Sequence, residues 1–381
     1  MPVRVPENLI DVPEFHRQSA LVITNFGEVA LSNIVARVYD PSSGEFGEHL
    51  DKISSEIGEV LDDVNDRARA STVTVKSVVD GLAEGDVGEI FAKALKAPSL
   101  YSARSIIEEG AGDAVLPLRA GLDVRVLGEA LGAPSEYSGS DYIRKYASPQ
   151  GRKMLAMAFE RRVYLAGLSA PSLYSGAETM QKYGQHPEII RQGLDARVLR
   201  EAVHAPSLYS ASEGIEKYAT SKDVRRAMRV VLDARVETEA QHAPSLHSAR
   251  ETVTKYGSSN PVRREIFERL NPRVEAEALR AVSAYSALKT IDDYAFGDER
   301  TQMRRKVATQ WLPREQNSLA IAEAELQSMI EKVEELEAKT GIAKFVTRRK
   351  LKRARSGRDY TGMIRDSRKL SVERLEDILQ P

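Results

Sequence analysis

Three sets of side chains recur or cluster in ways that could recognise another molecule. Tyr101, Tyr137, Tyr174, Tyr209 and Tyr285 return at a near-fixed interval, with His247 in the corresponding place of one further copy. If exposed, such a ladder offers a peptide or extended chain large amphipathic contacts; if turned inward, it packs successive units together with its hydroxyls bonded to backbone. Arg125, Arg162, Arg197, Arg235 and Arg273 form a second row. Guanidinium groups in a row either grip an anionic ligand or pair with the aspartates of adjacent units. The third set, Lys344, Arg348, Arg349, Lys350, Lys352, Arg353, Arg355 and Arg358, has no acid between its members. A segment of that kind binds nucleic acid in a salt-sensitive, sequence-independent way, or an anionic membrane surface, or the acidic stretch at 45–66 of this same chain.

The elements that position these residues are announced by Ala-Pro-Ser. It occurs with its serine at 99, 135, 172, 207 and 245, and in degenerate form at Ser283, so successive serines lie 36, 37, 35, 38 and 38 residues apart. A period in this range means stacked helical units. Counted from each serine, apolar or small residues fall at offsets +1, +4, +8 and +11, as in Leu173, Gly176, Met180 and Tyr183. Those steps place all four on one stripe of a helix, and the small residue at +4 implies close approach to a neighbour. The ladder tyrosine at +2 lies about 140° from the centre of that stripe. Gly184 and Gly257 are expected to close their helices in a left-handed conformation. His186-Pro187 and Asn260-Pro261 start a second helix, and Asp123, Asp195, Asp233 and Asn271 are expected to cap a short third one, with each row arginine two residues on. The last two helices could equally be one bent helix.

The helical period and the recurring Asp-X-Arg at Asp123/Arg125, Asp195/Arg197 and Asp233/Arg235 resemble the HEAT and armadillo class of α-solenoids, over residues 86 to 300. The resemblance is to architecture, and Glu89 and Gly110 in the first unit depart from the pattern as a capping repeat does. It implies an all-α fold: an α-solenoid of about six repeats of 35–38 residues over 86–310. Ahead of it, 1–85 reads as a proline-bearing arm followed by an acidic amphipathic helix with Leu50, Ile53, Ile57, Val60, Leu61 and Val64 on one side. Behind it, Leu319, Ala322, Leu326, Met329, Val333 and Leu336 form a short coiled-coil seam within 311–341, which either self-associates weakly or folds back on the last repeat. The basic tail of 342–381 ends in a helix from Ser371 to Leu379.

Composition narrows the function. The 381 residues carry 55 bases and 56 acids for a net charge of −1, so attraction to a polyanion must come from a local patch. With no cysteine there is no thiolate nucleophile, disulfide or Cys-ligated metal. No phosphate loop, His-Glu-X-X-His or nucleophile elbow occurs, and the opening residues lack a signal-peptide order, which makes the cytoplasm the expected address. No metal or cofactor is expected. Six units at about 10 Å per packed layer would span roughly 50–60 Å, a length suited to a protein or polymer partner. The expectation is a non-enzymatic scaffold or adaptor binding a protein through the tyrosine and arginine rows. The alternative is a nucleic-acid-associated protein using the tail with the arginine row, and the third reading is an enzyme of HEAT-like architecture with a site on the concave face.

Overall fold

The computed structural model describes residues 5–35, 45–338 and 342–380, and every regular element among them is a helix. The chain divides into two compact units, residues 1–231 and 232–381. In the first unit a 3₁₀ turn at Glu7–Leu9 precedes α1 (Val12–Val35), α2 (Phe46–Leu82) and α3 (Gly85–Lys96). There follow α4 (Leu100–Gly110), α5 (Val115–Leu131), α6 (Glu136–Tyr146), α7 (Arg152–Ser169), α8 (Leu173–Tyr183), α9 (Pro187–Ile190), α10 (Asp195–Val203) and α11 (Leu208–Tyr218). The unit boundary falls inside α12 (Lys222–Gln241). The second unit continues with α13 (Leu246–Tyr256), α14 (Asn260–Arg269), α15 (Asn271–Leu279), α16 (Ala284–Tyr294), α17 (Glu299–Ala338) and α18 (Ile342–Leu379).

The Ala-Pro-Ser signature builds the same local object six times. Ser99, Ser135, Ser172, Ser207, Ser245 and Ser283 sit in extended backbone at N-cap positions, and each side chain accepts the N–H three residues on. That satisfies one of the orphan donors of a helix start. In the first five copies the preceding proline keeps the chain out of helix until the cap; Val282 stands in that place in the sixth. All six capped helices are 11 residues long and bury the +4 and +8 members of the apolar stripe. At +4 the close approach is real: a Cβ on Gly176 would run into the carbonyl of Gly167 on α7, and one on Gly139 into the Phe159 ring and the Ala130 carbonyl.

The glycines expected to end these helices by turning left-handed do not. Gly184 has φ −72° and ψ 148°, Gly257 has φ −59° and ψ 134°, and the equivalent residues Ala147, Ala219 and Ala295 are also extended. Glycine answers a different need there, since a Cβ on Gly184 would meet the Ile190 side chain and the Met180 carbonyl. None of Asp123, Asp195, Asp233 and Asn271 caps a helix either. Asp123 and Asp233 lie inside α5 and α12, because the expected second and third helices are continuous in α5, α7 and α12; where they separate, Asp195 and Asn271 are the first residues of α10 and α15, and the N-cap positions are Leu194 and Leu270.

The arm is more helical than its prolines imply, since Pro13 stands in the first turn of α1, where a missing N–H costs nothing. The apolar stripe of α2 is buried as its spacing predicts. It shares one core with Val126 and Leu127 of α5, and with Met154, Phe159 and Tyr164 of α7. Asn65 on α2 donates to the Ala158 carbonyl at 3.1 Å, and the Tyr164 hydroxyl donates to the Ser54 carbonyl at 2.6 Å. Part of the acidic face pairs locally, Asp51 with Arg200 at 3.2 Å and Asp62 with Arg161.

In the second unit α17 runs through Pro313 without a break and packs along α18 as a helical hairpin. The seam residues Ala322, Leu326, Val333 and Leu336 are buried, Val333 and Leu336 against Leu351 and Ala354 of α18. Glu315 on α17 is buried and receives Arg368 of α18 at 2.8 Å. Ser371 starts no helix; it lies within α18, and its hydroxyl donates to the Ser367 carbonyl.

Candidate protein-interaction surface

The ladder tyrosines point into solvent. Tyr101, Tyr137, Tyr174, Tyr209 and Tyr285 are 58–70 % exposed, each on the first turn of its capped helix. Packing between units, the inward reading of these residues, falls instead to the tyrosines at offset +11. Tyr146, Tyr183, Tyr218, Tyr256 and Tyr294 continue the apolar stripe and are half-buried. The +2 position faces away from that stripe, so its ring has no core to enter. In the first unit the Lys217 ammonium lies 5.9 Å from the Tyr174 ring of the preceding repeat and 5.4 Å from Tyr218. Lys217 thus lies within cation–π reach of one ladder tyrosine and of the +11 tyrosine next to it in sequence.

The arginine row is held inside the chain, by partners other than the expected aspartates. Arg125 donates to the carbonyls of Ala94 and Leu95, and Arg162 to those of Ala130, Leu131 and Ala133. Arg197 donates to Leu168 and Ala170, and Arg273 to Ala240, Gln241 and Ala243. These are the orphan carbonyls at the C-terminus of the helix one repeat earlier. Each Nε is braced by a glutamate four residues on, Glu129, Glu201, Glu239 for Arg235, and Glu277; Arg162 uses Glu136. Arg197 and Arg273, which oppose the dipole of their own helix starts, thus complement the negative end of another helix.

The aspartates clamp the turn that follows the next capped helix. Asp123 accepts the Ser148 N–H at 2.8 Å and its hydroxyl, Asp195 those of Thr220 with the N–H at 3.0 Å, and Asp233 those of Ser258 with the N–H at 2.9 Å. In the last copy Asn271 accepts the Phe296 N–H at 3.0 Å and donates to the Phe296 carbonyl at 2.9 Å. Glu160 takes this place on α7, binding the His186 N–H and ring nitrogen. In the four Asp and Asn copies the partner lies 25 residues on. The recurrence of Ser148, Thr220 and Ser258 thirteen residues after a capping serine was the available sequence signal for this clamp.

Burial raises the Asp195 carboxyl to about 6, against the lowering effect of the Thr220 hydroxyl and N–H, and it raises Asp233 as well. A carboxyl whose folded-state pKa is raised binds its proton more tightly when folded, so its contribution to stability is present below about pH 4 and is lost as pH rises through 6. Asp195→Asn, which copies the natural Asn271, should remove this dependence. We expect the stability difference between wild type and Asp195→Asn to change by about 2 kcal/mol between pH 4 and pH 7, with the wild type gaining relative to the variant toward acid. Urea denaturation of both at the two pH values checks it, and a pH-independent difference contradicts it.

His16, Asp123 and Ser148 meet in one cluster whose residue types suggest a catalytic triad, but the geometry is that of a brace. All three are fully buried, and Asp123 stands in the middle, receiving the serine hydroxyl and the His16 Nε2 at 2.8 Å. The serine donates to the carboxylate and to no base, so nothing activates it as a nucleophile. Among the described residues no group of three or more His, Asp or Glu side chains could hold a metal ion. No helix among them is long and apolar enough to cross a membrane.

On α18 the bases Arg348, Arg349, Lys350, Lys352 and Arg353 are exposed and unpaired among the described residues. Arg355 binds Glu337 and Arg358 binds Asp359 at 3.2 Å, while the side chain of Lys344 lies outside the described residues. Comparison of the chain with protein-family models, with curated proteins and with solved structures finds no match.

Proposed function

We propose that the chain is a non-enzymatic α-solenoid scaffold that binds an extended protein segment along the tyrosine face of the capped helices in its first unit, with Tyr101, Tyr137, Tyr174 and Tyr209. The observation that carries this reading is the exposure of all five ladder tyrosines at one structural position. A side chain that adds nothing to a core, repeated on successive units, is accounted for by an external partner. Tyrosine suits that role because it supplies large contact area at the cost of few rotatable bonds. The neighbouring lysines at offset +10, Lys182 and Lys217, favour a partner with acidic residues between its apolar ones. Arg125, Arg162, Arg197 and Arg273 are left out of this surface, since their N–H groups are engaged by backbone carbonyls. The nucleic-acid alternative loses those arginines as well.

Site-specific photo-crosslinking in cells tests the proposal. A photoreactive phenylalanine analogue in place of Tyr137 or Tyr174 should yield one discrete protein adduct. The same probe at Glu48, exposed on α2, should not. No adduct at either tyrosine, or the same adducts from all three positions, would contradict the proposal.

A further inference from the structure

The outer side of α18 carries two features that the proposed scaffold role does not use, and they lie on one stripe. At 100° per residue Arg349, Lys352 and Arg353 fall on the same side of the helix as Tyr360, Met363, Ile364 and Leu370. The side that packs is centred about 120° round the helix from this stripe, with Ala354, Thr361, Val372 and Leu375 buried. Tyr360, Met363 and Leu370 are 62–66 % exposed, as exposed as the ladder tyrosines, and no core awaits them. The basic half of the stripe carries three charges unpaired among the described residues, Arg349, Lys352 and Arg353, and no acid lies between Arg348 and Arg358 in the sequence. Of the two aspartates beside the apolar half, Asp359 is neutralised by Arg358 and Asp366 by Arg365.

We propose that this stripe of α18 docks on an anionic membrane surface, lying in the plane of the interface. Charge and apolarity assign the occupant together. Unpaired lysines and arginines are drawn to the negative headgroup layer, and an apolar stripe continuing the same helix side enters the boundary between headgroups and acyl chains. A nucleic-acid duplex would satisfy the bases but leave Met363 and Leu370 in water, since phosphate contacts offer an apolar side chain nothing. The rigid hairpin with α17 holds the stripe formed in advance, so docking does not have to order a helix.

The test uses the full-length chain in co-flotation with phosphatidylcholine vesicles and with vesicles containing about one-third phosphatidylserine, at low and high salt, beside a generic DNA duplex in the same buffers. Two variants change only exposed residues, Arg349→Glu/Arg353→Glu and Met363→Ser/Leu370→Ser, and their melting is compared with wild type. We expect salt-sensitive binding to the anionic vesicles alone, reduced at least about tenfold by the charge variant, since each base near such a surface is worth roughly fivefold, and clearly reduced by the apolar variant. Failure to bind anionic vesicles overturns the proposal, whether or not the duplex binds. So does vesicle binding that survives the apolar variant, which would reduce the stripe to a generic polyanion contact. Neither outcome touches the tyrosine face, which lies on other helices.

Discussion

Asp123→Ala is expected to cost about 3–5 kcal/mol of unfolding free energy, as removal of one partner from a buried charged cluster does. The carboxylate accepts the Ser148 N–H, the Ser148 hydroxyl and the His16 ring nitrogen in a site with no exposure. Alanine leaves all three without a partner, where the His16 Nδ1 already has none. The loss also unpins two elements at once, α1 through His16 and the turn before α7 through Ser148. Asp123→Asn should cost about half as much, because an asparagine oxygen can still accept the Ser148 N–H, as Asn271 accepts that of Phe296. Urea denaturation of the three proteins checks both. An alanine variant within about 1 kcal/mol of wild type would mean that the clamp does not hold the fold.

Arg162→Ala should cost about 2–3 kcal/mol, at the upper end for hydrogen bonds to a charged group. Its guanidinium reaches the carbonyls of Ala130, Leu131 and Ala133 and the Glu136 carboxylate, joining the C-terminus of α5 to α7. Arg162→Lys should recover less than half of the loss, since an ammonium lacks the planar fork that serves several carbonyls at once. Equal stability of lysine and arginine at this position would show that charge alone acts there. The same comparison at Arg125, which reaches Ala94 and Leu95, should give a smaller effect, because fewer carbonyls depend on it.

The six capped helices were legible because their signals are local. A serine three residues before an N–H to be capped, preceded by proline in five of the six copies, is written in consecutive letters, and all six caps form where the letters place them. Partners far away in sequence were not legible. That Arg162 caps a helix ending some thirty residues earlier, or that Asp123 waits for a residue 25 positions on, follows from how the helices pack and leaves no trace at either position alone. The expected third-helix caps failed for a related reason. Asp123 and Asp233 resemble helix starts, yet each is a mid-helix clamp whose side chain is turned to another turn of chain. For the candidate surface the sequence named the right tyrosines and left their direction open, because a residue off the main stripe either packs sideways or faces water, and neighbouring units decide which.

The most direct test of the account is a paired measurement on the variant carrying Tyr101→Ser, Tyr137→Ser, Tyr174→Ser and Tyr209→Ser, comparing its melting and its affinity for the partner captured at Tyr137 or Tyr174. Exposed side chains away from the core change stability by only about 0.5 kcal/mol each, while aromatic anchors in an interface carry much of its binding energy. The account predicts near-wild-type melting and an affinity reduced at least about a hundredfold. A variant that unfolds, or one that binds its partner as tightly as wild type, would place the tyrosines in the fold or outside the interface and contradict it.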